Sequence, residues 1–209
     1  KKIRKLSQKQ KKCSNCNGLG CKICNISGEK NSQSIENIIS NLLLKKFDGT
    51  QVKINWIGGE DQSSLVLGKG RPFFSKIINP KKQNRRLIKS SQLENGVSLS
   101  ELQKIILQPK GSVAFKSEVS ITIQTEKPIL LTSLKKLKTL EKIDITDTSK
   151  GKKNNRKRIY KTSYKKLGKK SFILDLLADG GLPIKSFIQN SNIIPNVSDL
   201  VQNRCRCIS

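Results

Sequence analysis

The chain has 209 residues, 34% of them apolar and 4% aromatic, with 42 Lys and Arg against 15 Asp and Glu, for a net charge of +27. That length predicts one domain with at most a small appendage, and no stretch approaches the roughly 20 apolar residues of a membrane-spanning helix. The absence of His excludes Ser-His-Asp and Cys-His catalysis, His proton shuttles and His-ligated metals.

The charge points to a polyanion. Each Lys or Arg set against a phosphate releases condensed counterions, so nucleic acid is the predicted partner. An anionic membrane surface or plain solubility are the other readings. No signal peptide is visible, so the cytoplasm is the expected compartment. Met is absent and residue 1 is Lys, from which we expect that the original start is missing.

Residues 1–12, K-K-I-R-K-L-S-Q-K-Q-K-K, read as a mobile basic arm. Within residues 13–30, Cys13, Cys16, Cys21 and Cys24 form C-x2-C-x4-C-x2-C. Four thiols so close together suit a tetrahedral zinc site, with Gly18 and Gly20 letting the chain fold back. Disulfides or free thiols are the alternatives, disulfides being disfavoured without a secretory signal. With Cys at every position the zinc is structural rather than catalytic.

Ser34 then precedes Ile35, Ile38, Ile39, Leu42 and Leu43 at helical spacing and is a suitable N-cap, with Asp48-Gly49 ending the helix. Val52, Ile54 and Trp56 alternate as in a strand, and residues 73–78 read as another. Pro80 to Arg86, P-K-K-Q-N-R-R, is a basic turn. Residues 113–123 alternate and predict a long strand, and Leu134, Leu137 and Leu140 predict a short helix after Ser133. The stretch 149–170 is the most basic and holds both tyrosines, Tyr160 and Tyr164.

Residues 171–178 form a largely apolar strand, Gly180-Gly181 leads into L-P-I-K-S-F-I, and Ser198 is the expected cap of a final short helix. Cys205 and Cys207 are either buried thiols or a poorly formed chelate. Strands and helices in no regular βαβ order predict an α+β fold with a mainly antiparallel sheet.

Without His, chemistry has to fall to Asp, Glu, Lys, Tyr or Cys. Glu29, Glu94, Glu118, Glu126 and Asp147 sit in solvent-type contexts. Glu60 and Asp61 differ, because they lie between a strand ending in Trp56 and a Gly-rich loop, with Arg71 close behind. Small neighbours let a ligand approach, although a hydrogen-bonding turn Asp is the simpler reading from spacing alone. Arg71 in K-G-R-P offers a planar donor set for a phosphate or a carboxylate, or else makes a surface salt bridge.

The segments G-G-E-D-Q-S-S-L-V-L-G-K-G-R-P-F-F, I-I-N-P-K-K, L-A-D-G-G-L-P-I-K and P-N-V-S-D-L, in this order, resemble the pseudouridine synthase ten family of archaea and eukaryotes. The resemblance covers roughly residues 13–207, more loosely over 86–170. It implies a pseudouridine synthase-like mixed, mainly antiparallel sheet with flanking helices over 31–209, after the basic arm and the zinc module. It also implies an isomerase acting on tRNA at uridine 55, with uridine 54 as a second candidate, without an organic cofactor; a monomer is the expected state.

The family's essential carboxylate matches Asp61. That group is proposed to attack the ribose or base, or to abstract a proton, while the C1′–N1 bond breaks and the uracil rejoins through C5. Arg71 matches an arginine that holds Asp61 or a phosphate. Leu182, Ile184 and Lys185 match a late motif, with Ile184 against the uracil and Lys185 toward a carboxylate or the RNA backbone. Lys81, Lys82, Arg85, Arg86, Arg156, Lys157 and Arg158 are the expected phosphate contacts.

The chain departs from the family pattern at Gly59, Ser63 and Pro183, and has no Tyr near Val119–Ile123. The alternative function is a non-catalytic, zinc-containing tRNA- or rRNA-binding protein. A third reading rests on C-S-N-C-N-G-L-G, which is similar to one unit of chaperone zinc domains.

Overall fold

A computed structural model describes residues 6–29, 34–60, 62–83, 86–107, 109, 111, 113–148, 156–189 and 192–208. The chain divides into two compact units, Lys1–Val113 and Ala114–Ser209. The division falls inside the span 31–209 expected to form one catalytic domain.

In the first unit, helix α1 (Ile35–Phe47) starts where Ser34 Oγ accepts a hydrogen bond from the Asn37 N–H at 3.0 Å. It stops at Asp48, whose φ of 54° ends the helical path. Strands β1 (Gln51–Trp56) and β2 (Phe73–Ile78) pair antiparallel, from Gln51 opposite Ile78 to Trp56 opposite Phe73. A second hairpin joins β3 (Ser90–Gln92) to β4 (Ser98–Ser100).

The buried core of this unit is Ile35, Ile38, Ile39, Leu43, Phe47 and Val97, with Val52, Ile54 and Trp56 packed against it. The helical stripe read from the sequence therefore faces the hairpin, except that Leu42 is only half-buried.

The second unit is built on a six-stranded sheet of order β10-β5-β8-β7-β6-β9, antiparallel throughout. Its long members are β5 (Lys116–Thr125), β7 (Arg156–Gly168) and β8 (Ser171–Asp179); β6 (Asp144–Asp147), β9 (Ile193–Ile194) and β10 (Cys205–Cys207) are short. Ile121 pairs with Leu174 and Ile123 with Phe172, so alternate residues build one apolar face. Leu134, Leu137, Leu140, Phe187, Ile188, Val197 and Val201 join the same core from α2 (Leu131–Lys135) and its 3-10 extension, α3 (Ile184–Gln189) and α4 (Val197–Val201). The described residues thus give the expected α+β class with antiparallel sheets.

Several local expectations are corrected. The strand expected over 113–123 begins at Lys116 and runs to Thr125, because its pairing with β8 and β10 sets its ends. The helix expected after Ser133 begins at Leu131. The final helix is capped by Asn196, whose side chain accepts from the Asp199 N–H at 2.9 Å, while Ser198 Oγ donates to Ile188 O. From Leu6 onward the arm does not hang free: Ser7 bridges Ser34, and Lys12 bridges Glu29.

Candidate functional site

The four N-terminal cysteines converge. Cys13 and Cys21 Sγ lie 3.9 Å apart, Cys16 and Cys24 3.8 Å, Cys21 and Cys24 3.7 Å, and all four fall within 4.8 Å of one another. A tetrahedral ion with metal–sulfur bonds of about 2.3 Å holds its sulfurs roughly 3.8 Å apart, so the spacing fits a metal. The thiols are free rather than paired in disulfides.

Gly18 and Gly20, at φ of 97° and 93°, turn the chain back between the two pairs. The Gly20 N–H donates to Cys16 Sγ and the Cys21 N–H to Cys24 Sγ, both at 3.2 Å. The Asn15 side chain donates to Cys21 Sγ at 3.5 Å. That bond first, with the Cys24 backbone second, holds the Cys21 thiol down at about 6, which favours the thiolate a metal needs. Cys205 is buried in the second unit's core, where desolvation pushes its thiol up to about 11.

The Gly-rich loop leaves the end of the β1–β2 hairpin. Its root is closed by the Ile57 N–H donating to Pro72 O at 3.1 Å and by Trp56 tilted against Phe73, ring centroids 5.2 Å apart. Within it Arg71 Nε donates to Glu60 Oε2 at 2.8 Å, with the Glu60 side chain 5% exposed and that of Arg71 19%. The described carboxylate partner of Arg71 is thus Glu60; Asp61 lies outside the described residues.

The basic residues separate into groups. Lys82 Nζ is 3.7 Å from Asp48 Oδ2, and the Lys81 N–H donates to Asp48 O, so this basic turn is fastened to the end of α1. Arg85 lies outside the described residues. Arg86 lines a depression of about 440 Å³ with Lys45, Lys46, Lys89, Ser90 and Ser91, floored by Leu42, Leu87 and Ile88. The sequence reading missed Lys45, Lys46 and Lys89. In isolation the first two look like ordinary last-turn cations of a helix, and only the fold brings residues 86–91 beside them.

In the second unit Arg156, Lys157 and Arg158 open strand β7. The adjoining Gly180-Gly181 turn has a steric basis. A Cβ on Gly180 would sit 2.2 Å from the Phe115 ring, while the Gly180 N–H donates to Phe115 O at 2.7 Å. Asp179, just before the turn, accepts from the Arg158 N–H at 2.8 Å and from Tyr160 Oη at 2.9 Å. Tyr160 occupies a bulge between Ile159 and Lys161. Lys116 Nζ stands 3.9 Å from its ring centroid, and the bond to Asp179 raises its phenol.

Leu182 is buried in the core of this unit, Ile184 packs against that core, and Lys185 is exposed. Among the described residues no helix is long and apolar enough to cross a membrane.

A family model described as "Pus10, C-terminal" matches residues 1–209. A protein named tRNA pseudouridine synthase Pus10 from Nitrosopumilus maritimus (strain SCM1) is 43% identical over 208 residues, covering 100% of this chain and 54% of that protein. The protein of the same name from Cenarchaeum symbiosum (strain A) is 32% identical over 99% of this chain and 51% of its own length. That from Korarchaeum cryptofilum (strain OPF8) is 26% identical over 98% of this chain and 60% of its own. The chain therefore spans about half the length of these curated relatives.

Proposed function

The chain belongs to the Pus10 C-terminal family, and from that premise we propose that it carries the catalytic part of a tRNA pseudouridine synthase. The observation that supports this most is the family match over all of residues 1–209. The substrate is uridine in the T arm of tRNA, at position 55, with position 54 as the second candidate. The reaction is an isomerisation: the C1′–N1 bond breaks, a C1′–C5 bond forms, N1 gains a proton and C5 loses one. No oxidant or organic cofactor enters this balance.

Asp61 is the catalytic carboxylate in this reading. It has to meet a nucleoside taken out of its stack, in a pocket that keeps the detached uracil in place. The Glu60–Arg71 pair ties the two sides of the Gly-rich loop together. Ile184 and Lys185 supply the apolar and cationic contacts expected from the late motif, and Leu182, buried in the core, anchors that motif rather than touching RNA. Phosphates are gripped by Lys81, Lys82, Arg85 and Arg86, by Arg156, Lys157 and Arg158, and by the Lys45, Lys46 and Lys89 that share the depression with Arg86. Such contacts position RNA with little sequence readout.

Zinc held by Cys13, Cys16, Cys21 and Cys24 is structural, in a module over 13–30 preceding the catalytic span 31–209.

Carbodiimide mapping of pseudouridine on T-arm transcripts tests this reading. Asp61→Asn is expected to abolish product while tRNA binding stays within about twofold of the unmodified chain. Full activity in that variant removes Asp61 from the role. An unmodified chain that binds tRNA and forms no pseudouridine leaves the non-catalytic RNA-binding alternative.

A further inference from the structure

Gln8 lies in the arm that the sequence marks only as basic, yet it is 6% exposed. A polar side chain that deep normally has a specific task for its hydrogen-bonding groups. Both ends of its amide go to a single bend. Nε2 donates to Gly58 O at 3.2 Å, and Oε1 accepts from the Glu60 N–H at 3.2 Å. Either bond alone leaves the bend free to pivot, whereas two bonds from one planar amide fix its direction. Gly59, between them, has no side chain to make such ties, and the nearest atom to the place of its missing Cβ is Gln8 Oε1, at 3.8 Å.

Gln8 is itself held from behind. Its carbonyl accepts from the Glu36 N–H at 3.1 Å, and the Ser7 carbonyl accepts from the Ile35 N–H at 3.0 Å. These are first-turn donors that α1 cannot satisfy internally. The Gln10 N–H donates to Glu36 Oε2 at 3.3 Å. Toward the cysteines, Lys12 bridges Glu29 and the Cys13 N–H donates to Gly28 O at 2.8 Å. One continuous segment thus runs from the metal-binding cluster, past the start of α1, to the loop that holds the Glu60–Arg71 pair.

We propose that Gln8 is a positioning residue of the reaction, acting through the Gly58–Glu60 bend on the residue that follows it, Asp61. This rests on the reading of Asp61 as the catalyst. Gln8 needs no contact with RNA in this role, so its removal slows the chemical step without weakening tRNA binding.

The test uses the whole chain, with Gln8→Met, which keeps the bulk and removes both bonds, and Gln8→Glu, which keeps the acceptor and loses the donor. Single-turnover pseudouridine formation is measured at saturating tRNA, alongside tRNA affinity, the bound fraction and metal content. Loss of two neutral hydrogen bonds is expected to slow Gln8→Met about tenfold, and Gln8→Glu several-fold. Affinity, bound fraction and metal content stay within about twofold. A purely structural lesion lowers the bound fraction and the rate together, and that result overturns the proposal. So does an unchanged rate in either folded variant. Asp61→Asn is run in parallel: if it is active, the reading of Asp61 fails and this proposal with it; if it is inactive while Gln8→Met is fast, only the role of Gln8 fails.

Discussion

The two units hold themselves together by different means. Among the described residues the second has nineteen buried side chains in one continuous core, and the first has six. The first unit makes up the difference with polar ties: the sulfur cluster, the Gln8 amide and the Glu60–Arg71 pair. A small core needs such staples, since it buries too little apolar surface to offset chain entropy by itself. The contrast teaches where each kind of order is placed. The Gly-rich loop is fixed by directional bonds at its base.

Metal removal separates the two units most sharply. On the proposal that Cys13, Cys16, Cys21 and Cys24 hold structural zinc, the metal contributes on the order of 10 kcal/mol to the folding of its module. A chelator is therefore expected to abolish amide-exchange protection over Cys13–Glu29 while β5, β7 and β8 keep theirs. Equal loss in both units would break the distinction.

Core truncations act in the opposite sense. Phe172→Ala in the fully buried heart of the second unit is expected to cost about 3–5 kcal/mol, read as lost protection across β5 and β8 with metal content unchanged. Leu43→Ala, equally buried in the first unit, is expected to cost about 2–5 kcal/mol and to leave β8 protected. If either substitution melts both units together in a denaturant titration, they fold as one body.

The smallest effect sharpens the comparison between the two groups of cysteines. Cys205 has its thiol raised from 9.0 to about 11 by burial. Its folded form holds the proton more tightly than its unfolded form. The stability it contributes is thus complete below pH 9 and declines as pH rises from 9 toward 11. Urea midpoints followed over that range are expected to fall less steeply in Cys205→Val. Identical slopes would show that the buried thiol does not supply the pH dependence.

Some of this was legible one element at a time. Ser34 caps α1, Asp48 ends it, and Val52, Ile54 and Trp56 alternate toward the core as their spacing predicts. The C-x2-C pairs announce a metal-sized cluster because each pair closes within a few residues. Ser198 misled where Asn196 caps, since both are good caps two positions apart and packing against α3 decides between them.

By itself the sequence determined whatever depends on neighbours within a turn or two: helix stripe, strand alternation, chelate spacing and overall charge. Only the tertiary structure decided that Gln8 reaches residues 50 and 52 positions away, that Lys89 joins Lys45, and that Tyr160 finds Asp179. Those meetings follow from strand order, register and a bulge. They are set by how whole elements bury their apolar faces, and local periodicity carries no record of that choice.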